Sequence, residues 1–157
     1  MGTNPLDVGQ VTEFLNVDLD VAAGRDLAPL VQAMLPRVRA LNSGRMGRGY
    51  FARLELSTQP RTPDEAIRKI THVLVALPPS IRRIWARARV RDLNVGIQSG
   101  VTPWHTEYGI GPTTLALAAK LGARILVTVY GRPGDVVGPT KALRSRKSRR
   151  RRTSGCS

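Results

Sequence analysis

Three stretches of this chain alternate apolar and polar residues with a period of two, and that pattern limits the possible folds more than any other feature. In Glu13–Val21, Leu15, Val17, Leu19 and Val21 share one side, with Phe14, Asn16, Asp18 and Asp20 on the other. In Tyr50–Ser57, Ala52, Leu54 and Leu56 stand opposite Phe51, Arg53 and Glu55. In Val90–Gln98, Leu93, Val95 and Ile97 stand opposite Asp92, Asn94, Gly96 and Gln98. Successive side chains of a strand point to opposite faces of its sheet, so each stretch reads as a strand with one buried and one wet face. A parallel sheet covered by helices on both sides needs strands that are apolar throughout. The pattern therefore predicts an α+β fold, a two-layer sandwich in which a four-stranded sheet carries its helices on one face and leaves the other open. Ile125, Val127 and Val129, backed by Leu126, Thr128 and Tyr130, supply the fourth strand.

The helical layer is read from spacing and punctuation. Asp26 can cap a helix running to about Leu41, with Leu27, Leu30, Val31, Met34, Leu35 and Val38 inward. Pro36 lies inside that helix and must kink it or end it early, because it has no N–H to donate and its ring clashes with the preceding turn. Asn42–Gly49 then reads as a turn-rich loop. Pro63-Asp64-Glu65 opens a helix to Leu77, with proline and two acids suited to its first turn. Pro78-Pro79 stops that helix and starts a short one, whose Ile81, Ile84, Trp85 and Ala88 face inward and whose Arg82, Arg83 and Arg87 face out. A last helix from about Thr113 to Leu121 ends at Gly122, a residue suited to the left-handed cap.

Charge divides the chain in two. Residues 141–157 contain eight basic residues and no acidic one, including the run Arg149, Arg150, Arg151, Arg152. A segment so poor in apolar side chains cannot offset the entropy of ordering it. It reads as a disordered basic C-terminal tail, joined through the Gly/Pro-rich stretch Gly131–Pro139, so that residues 1–131 form the α+β domain and 132–157 the linker and tail. In a chain with a net charge of +14 this arm suits phosphate backbones or anionic head groups. It has no aromatic residue for base stacking, so its binding should be blind to sequence. One cysteine, Cys156, excludes an intrachain disulfide and a cysteine metal site. No apolar run reaches the length of a membrane span and Met1–Gln10 lacks the pattern of a secretion signal, so a cytoplasmic location is expected.

Four groups of residues could carry chemistry. Asp18 and Asp20 lie two apart on a strand, roughly 7 Å between α-carbons, and share a side. They read either as a paired-carboxylate or magnesium site, or as the polar side any half-buried sheet must have. Trp104-His105-Thr106-Glu107-Tyr108 crowds indole, imidazole, carboxylate and phenol into one loop. His105 and Glu107 have the makings of a base and its orienting carboxylate, and Trp104 those of a partner anchor, although no nucleophile or zinc motif accompanies them. Ser43–Gly49 has the glycines and arginines of a phosphate loop but leaves a helix for a strand, the reverse of nucleotide loops. Finally, Arg82, Arg83, Arg87, Arg89 and Arg91 place five guanidinium groups within ten residues. They suit a phosphate backbone, or a charged edge that discourages strand addition.

Leu77-Pro78-Pro79, Arg82-Arg83-Ile84-Trp85, Asp92-Leu93-Asn94-Val95-Gly96 and the closing Leu121-Gly122-Ala123 to Thr128-Val129-Tyr130 are packing motifs. Through them the stretch 50–131 resembles a type of small, uncharacterised bacterial α+β domain. Such domains occur in accessory proteins, including the toxin-neutralising immunity type. The resemblance implies a fold, supplies no catalytic residue and does not extend to the basic tail. Together these readings lead to a non-enzymatic bacterial protein with no cofactor and no metal. It binds a protein partner through the polar sheet face (Asp18, Asp20) and the loop Trp104, His105, Glu107, Tyr108. The alternative is a nucleic-acid-associated protein that uses the tail and the Arg82–Arg91 cluster.

Overall fold

In the computed structural model, which describes residues 11–131, the alternating stretches are strands of one mixed sheet, and that sheet has five strands. They are β1 (Glu13–Ala23), β2 (Val38–Met46), β3 (Gly49–Leu56), β4 (Val90–Gln98) and β5 (Arg124–Tyr130), in the spatial order β2-β3-β1-β4-β5. All neighbours are antiparallel except β4 and β5, which run parallel. Four helices complete the fold: α1 (Ala28–Met34), α2 (Pro63–Val75), α3 (Pro79–Ala86) and α4 (Pro112–Lys120).

The alternation sets the layers. Val17, Leu19 and Val21 of β1, Ala52 and Leu54 of β3, and Leu93 and Val95 of β4 are buried on one side of the sheet. They share one core with Leu30, Val31 and Met34 of α1, Ala66, Ile67, Ile70, Val73 and Leu74 of α2, and Trp85 of α3. Helix α2 starts where its punctuation predicts. Thr62 accepts a hydrogen bond from the Glu65 N–H at 3.2 Å, and the Glu65 carboxylate accepts one from the Arg61 N–H at 2.9 Å. The indole N–H of Trp85 donates to the Leu121 carbonyl at 2.9 Å, tying α3 to the end of α4. Gly122 follows with φ 63°, and the Arg91 guanidinium lies about 3.0 Å from where a Cβ would stand. Glycine is thus favoured there by conformation, and any side chain would also have to push the Arg91 guanidinium aside.

The count of four strands is corrected to five, and the missing one is instructive. The helix expected to reach Leu41 stops at Met34, because Leu35, the residue before Pro36, is held extended at φ −65°, ψ 150°. Leu35 is consequently 40% exposed rather than inward. Val38 is buried as expected, but as the first residue of β2, opposite Leu56. Every later residue of β2 is exposed, so the strand is held by its ladder to β3 and leaves no alternation to detect. The expected loop Asn42–Gly49 is the end of this strand and a two-residue turn, with Met46 opposite Gly49 and Gly47 at φ 58°.

Phe14 is the second correction. A bulge at Leu15 shifts the register, so that Asn16 faces Gly96 whereas Phe14 faces Ile97. One extra residue moves Phe14 from the polar side to the core side, where it packs against the cluster. The carbonyl of the bulged Leu15 accepts a hydrogen bond from Gln59 at 2.6 Å.

Candidate functional site

The open face is a grid of charges whose geometry follows from strand register. One row across four strands reads Arg53, Asp20, Asp92, Arg124. Asp20 and Asp92 stand directly opposite, an arrangement that like charges disfavour. Each is clamped from its outer side by a two-pronged guanidinium: Arg53 binds Asp20 at 2.6 and 3.1 Å, and Arg124 binds Asp92 at 3.0 and 2.6 Å. Beside this row, Arg39 pairs with Glu55. The Asn16 amide bridges Asp18 at 3.0 Å and Glu55 at 2.8 Å, and Asn94 accepts from Thr128 at 2.8 Å. Gly96 leaves room for Asn16, whose side-chain oxygen lies 3.0 Å from where a Cβ would be.

Asp18 and Asp20 do sit side by side, as their spacing requires, but they share the Arg53 cation. Burial raises the Asp18 pKa above the ordinary carboxylate value; Arg53 pulls it down, while Asp20 and Glu55 push it further up. Among the described residues, no three histidine, cysteine or acidic side chains are grouped as metal ligands. Asp18, Asp20, Glu55 and Asp92 each have a donor already, so the carboxylates of the face are engaged within it.

The loop after β4 divides its residues. Tyr108 turns inward and its ring contacts Phe14, with centroids 6.1 Å apart, whereas Trp104 is 90% exposed and stands edge-on to the His105 ring, with centroids 4.9 Å apart. His105 and Glu107 are both exposed and make no hydrogen bond to each other. The loop is anchored at its far end by Asp64, which accepts the Gly111 N–H at 2.8 Å. That bond, followed by one from Thr114, holds the Asp64 pKa below its ordinary value.

The arginine cluster is where the structure departs from such pairing. Strand β1 ends at Ala23, and the chain passes through Gly24 to Arg25. Helix α3 delivers Arg83 and, one turn later, Arg87. Arg89 enters β4 with its N–H on the Ala22 carbonyl at 2.8 Å. These ends enclose a cleft of about 760 Å³ lined by Arg25, Arg83, Arg87 and Arg89, with Ser80 and Asp26. Asp26 is turned to the backbone, accepting the Ala28 N–H at 3.0 Å. None of the four guanidinium groups has a side-chain hydrogen bond or ion pair among the described residues.

Arg82 and Arg91 do not join them. Arg82 lies exposed on α3 outside the cleft, and Arg91 is spent on the Trp85 ring, 6.0 Å from its centroid, and on the Leu121 carbonyl at 3.4 Å. Arg25 is the member that sequence spacing does not reveal; only the pairing of β1 with β4 brings it to Arg89. The β2–β3 hairpin also ends here, since Gly49 sits against the Ala23 carbonyl with an Arg89 nitrogen 3.2 Å from where its Cβ would be. Arg48 of the hairpin turn is therefore a neighbour of the cluster. The tail residues Arg149, Arg150, Arg151 and Arg152, and the segment 132–157 as a whole, lie outside the described residues.

The fold and site define an α+β domain with an internally bonded sheet face and, at one end, a cleft whose four arginines have no ion pair among the described residues. The chain matches no protein-family model, no curated protein and no solved structure. No helix among the described residues is long and apolar enough to cross a membrane.

Proposed function

We propose that this chain is a non-enzymatic, cytoplasmic polyanion-binding protein that grips nucleic-acid phosphates with its arginine cleft, the basic tail adding affinity. Nucleic-acid association thus takes precedence over a protein contact on the sheet face. One observation carries it: Arg25, Arg83, Arg87 and Arg89 converge on one cleft whose single acid, Asp26, is turned to the backbone, and none of the four has an ion pair among the described residues. Guanidinium groups so placed repel one another, and a phosphate is the ligand that both relieves the repulsion and fits their planar donors. The sheet face, by contrast, has its charges already satisfied.

The test is fluorescence anisotropy of duplex DNA and of RNA against the full chain, across a salt series. Arg83→Ala, Arg87→Ala and Arg89→Ala together should flatten the dependence of log K on log salt. The slope should change by roughly 0.9 for each duplex phosphate that is no longer neutralised. Replacing Arg149–Arg152 by serine should weaken binding further and separately. If only the tail replacement mattered, the cleft would not be the site.

A second reading rests on Trp104. An indole exposed to 90% suits a protein contact, since tryptophan is enriched at the anchoring positions of interfaces.

A further inference from the structure

Strand β5 is an edge of the sheet that the helical layer fails to cover. Its core-side residues Val127 and Val129 are 55% and 62% exposed, and on its other side Leu126 and Tyr130 are exposed as well. Its outer edge meets no strand among the described residues. It carries none of the usual protections of an edge: no proline, no bulge and no lysine. Its one charge, Arg124, is already cancelled by Asp92. In a chain of net charge +14, this is a neutral, apolar edge on an otherwise basic molecule.

We propose that β5 pairs antiparallel with β5 of a second copy, joining two five-stranded sheets into one of ten. A second copy suits an edge that is neutral and apolar on a basic molecule, and the geometry fixes the register. A two-fold axis perpendicular to the sheet keeps its faces on the same sides, so facing residues must both be odd or both be even in number. Full overlap of Arg124–Tyr130 then centres on Val127. On the core side Val127 meets Val127 of the second copy and Ile125 meets Val129. On the open side Leu126 meets Thr128, and Arg124 meets Tyr130 rather than another Arg124. Like charges never face each other, and apolar faces apolar wherever a side chain is now exposed on the core side. Leu115 of α4, a helix that packs on β5, is also exposed. Because the paired strands are antiparallel, the two arginine clefts fall at opposite ends of the joined sheet.

Sedimentation equilibrium of the full chain, from micromolar to near-millimolar, should give twice the mass of one chain. Val127→Lys sets two ammonium groups face to face and should give a monomer with an unchanged circular dichroism spectrum, because the residue is exposed in the single chain, and a melting temperature that no longer rises with protein concentration. Mixing Val127→Lys with Val127→Glu should restore the dimer. On a Cys156→Ser background, oxidation should cross-link Val127→Cys to itself and leave Thr128→Cys uncross-linked, which fixes the register. A monomeric wild type would overturn the proposal, and so would a dimer indifferent to Val127→Lys.

Discussion

The open sheet face and the arginine cleft are built from the same kinds of side chain and treat charge in opposite ways. On the face, strand register sets each carboxylate of the grid beside a donor, and Asp20 and Asp92 tolerate their opposition because Arg53 and Arg124 hold them from outside. At the cleft, the ends of β1, α3 and β4 bring together four guanidinium groups and one acid that is committed to the backbone. The difference teaches that clustered charge in a sequence says little until its partners are placed. The polar face is the richer in functional groups, and on sequence alone it reads as the site. Its groups are in fact occupied with one another, and the capacity for a ligand lies where compensation is missing.

The largest effect should come from emptying the cleft. Arg83→Ala, Arg87→Ala and Arg89→Ala together should lower affinity for duplex DNA by about a hundredfold or more at moderate salt, since three cations that release counterions are removed. The melting temperature should hold or rise, because no ion pair among the described residues is broken. Anisotropy and thermal unfolding on the same samples check both halves, and an unaltered affinity would erase the contrast between the two regions. The reverse behaviour is expected of Arg53→Ala. It strips the cation from Asp20 and Asp18, so stability should fall by at most about 1 kcal/mol, the ceiling for a partly exposed pair. DNA affinity should stay within experimental error. A loss of affinity larger than the loss of stability would mean that the face contributes to binding after all.

How much of this is legible in advance follows from what each element leaves in the sequence. Strands β1, β3, β4 and β5 and helices α2, α3 and α4 leave periodicity or punctuation, and each lies where its residues predict. Strand β2 leaves neither, because after Val38 its side chains are all exposed and only its backbone is paired. The bulge at Leu15 is equally silent: Phe14 changes face through register alone. The clamps on the open face and the membership of the cleft depend on which strands are neighbours, and that order is set by long-range pairing. Thus Arg83, Arg87 and Arg89 are visible as a cluster, while Arg25 is not, and Arg91 reads as a member although Trp85 holds it elsewhere.

A smaller effect sharpens the account of the face from within. Burial raises the folded-state pKa of Asp18, so the folded protein holds that proton more tightly than the unfolded chain does. The stabilisation it brings is fully present below the unfolded value and is lost as the pH rises through the folded one, leaving the ionised group a net cost at neutral pH. Asp18→Asn should therefore raise the melting temperature slightly at pH 7, by roughly 1–3 °C. The gain should fade as the pH falls toward the ordinary carboxylate range. Thermal unfolding between pH 3 and pH 7 measures this, and a gain that grew on acidification would contradict the sign.

The smallest effect on the fold should come from Trp104→Ala, and its smallness is what makes it informative. The indole is 90% exposed, so its removal should change stability by less than about 0.5 kcal/mol, as for other surface sites. Such a variant folds like the wild type and isolates whatever the exposed ring does. If its duplex-DNA affinity and its sedimentation both match the wild type, neither the arginine cleft nor the β5 seam uses the tryptophan. The ring would then be left for a third surface, the protein contact that its exposure suits. A fall in DNA affinity at constant stability would instead extend the polyanion track from the basic end to the loop after β4, and the comparison between an internally bonded face and a basic end would need a third term.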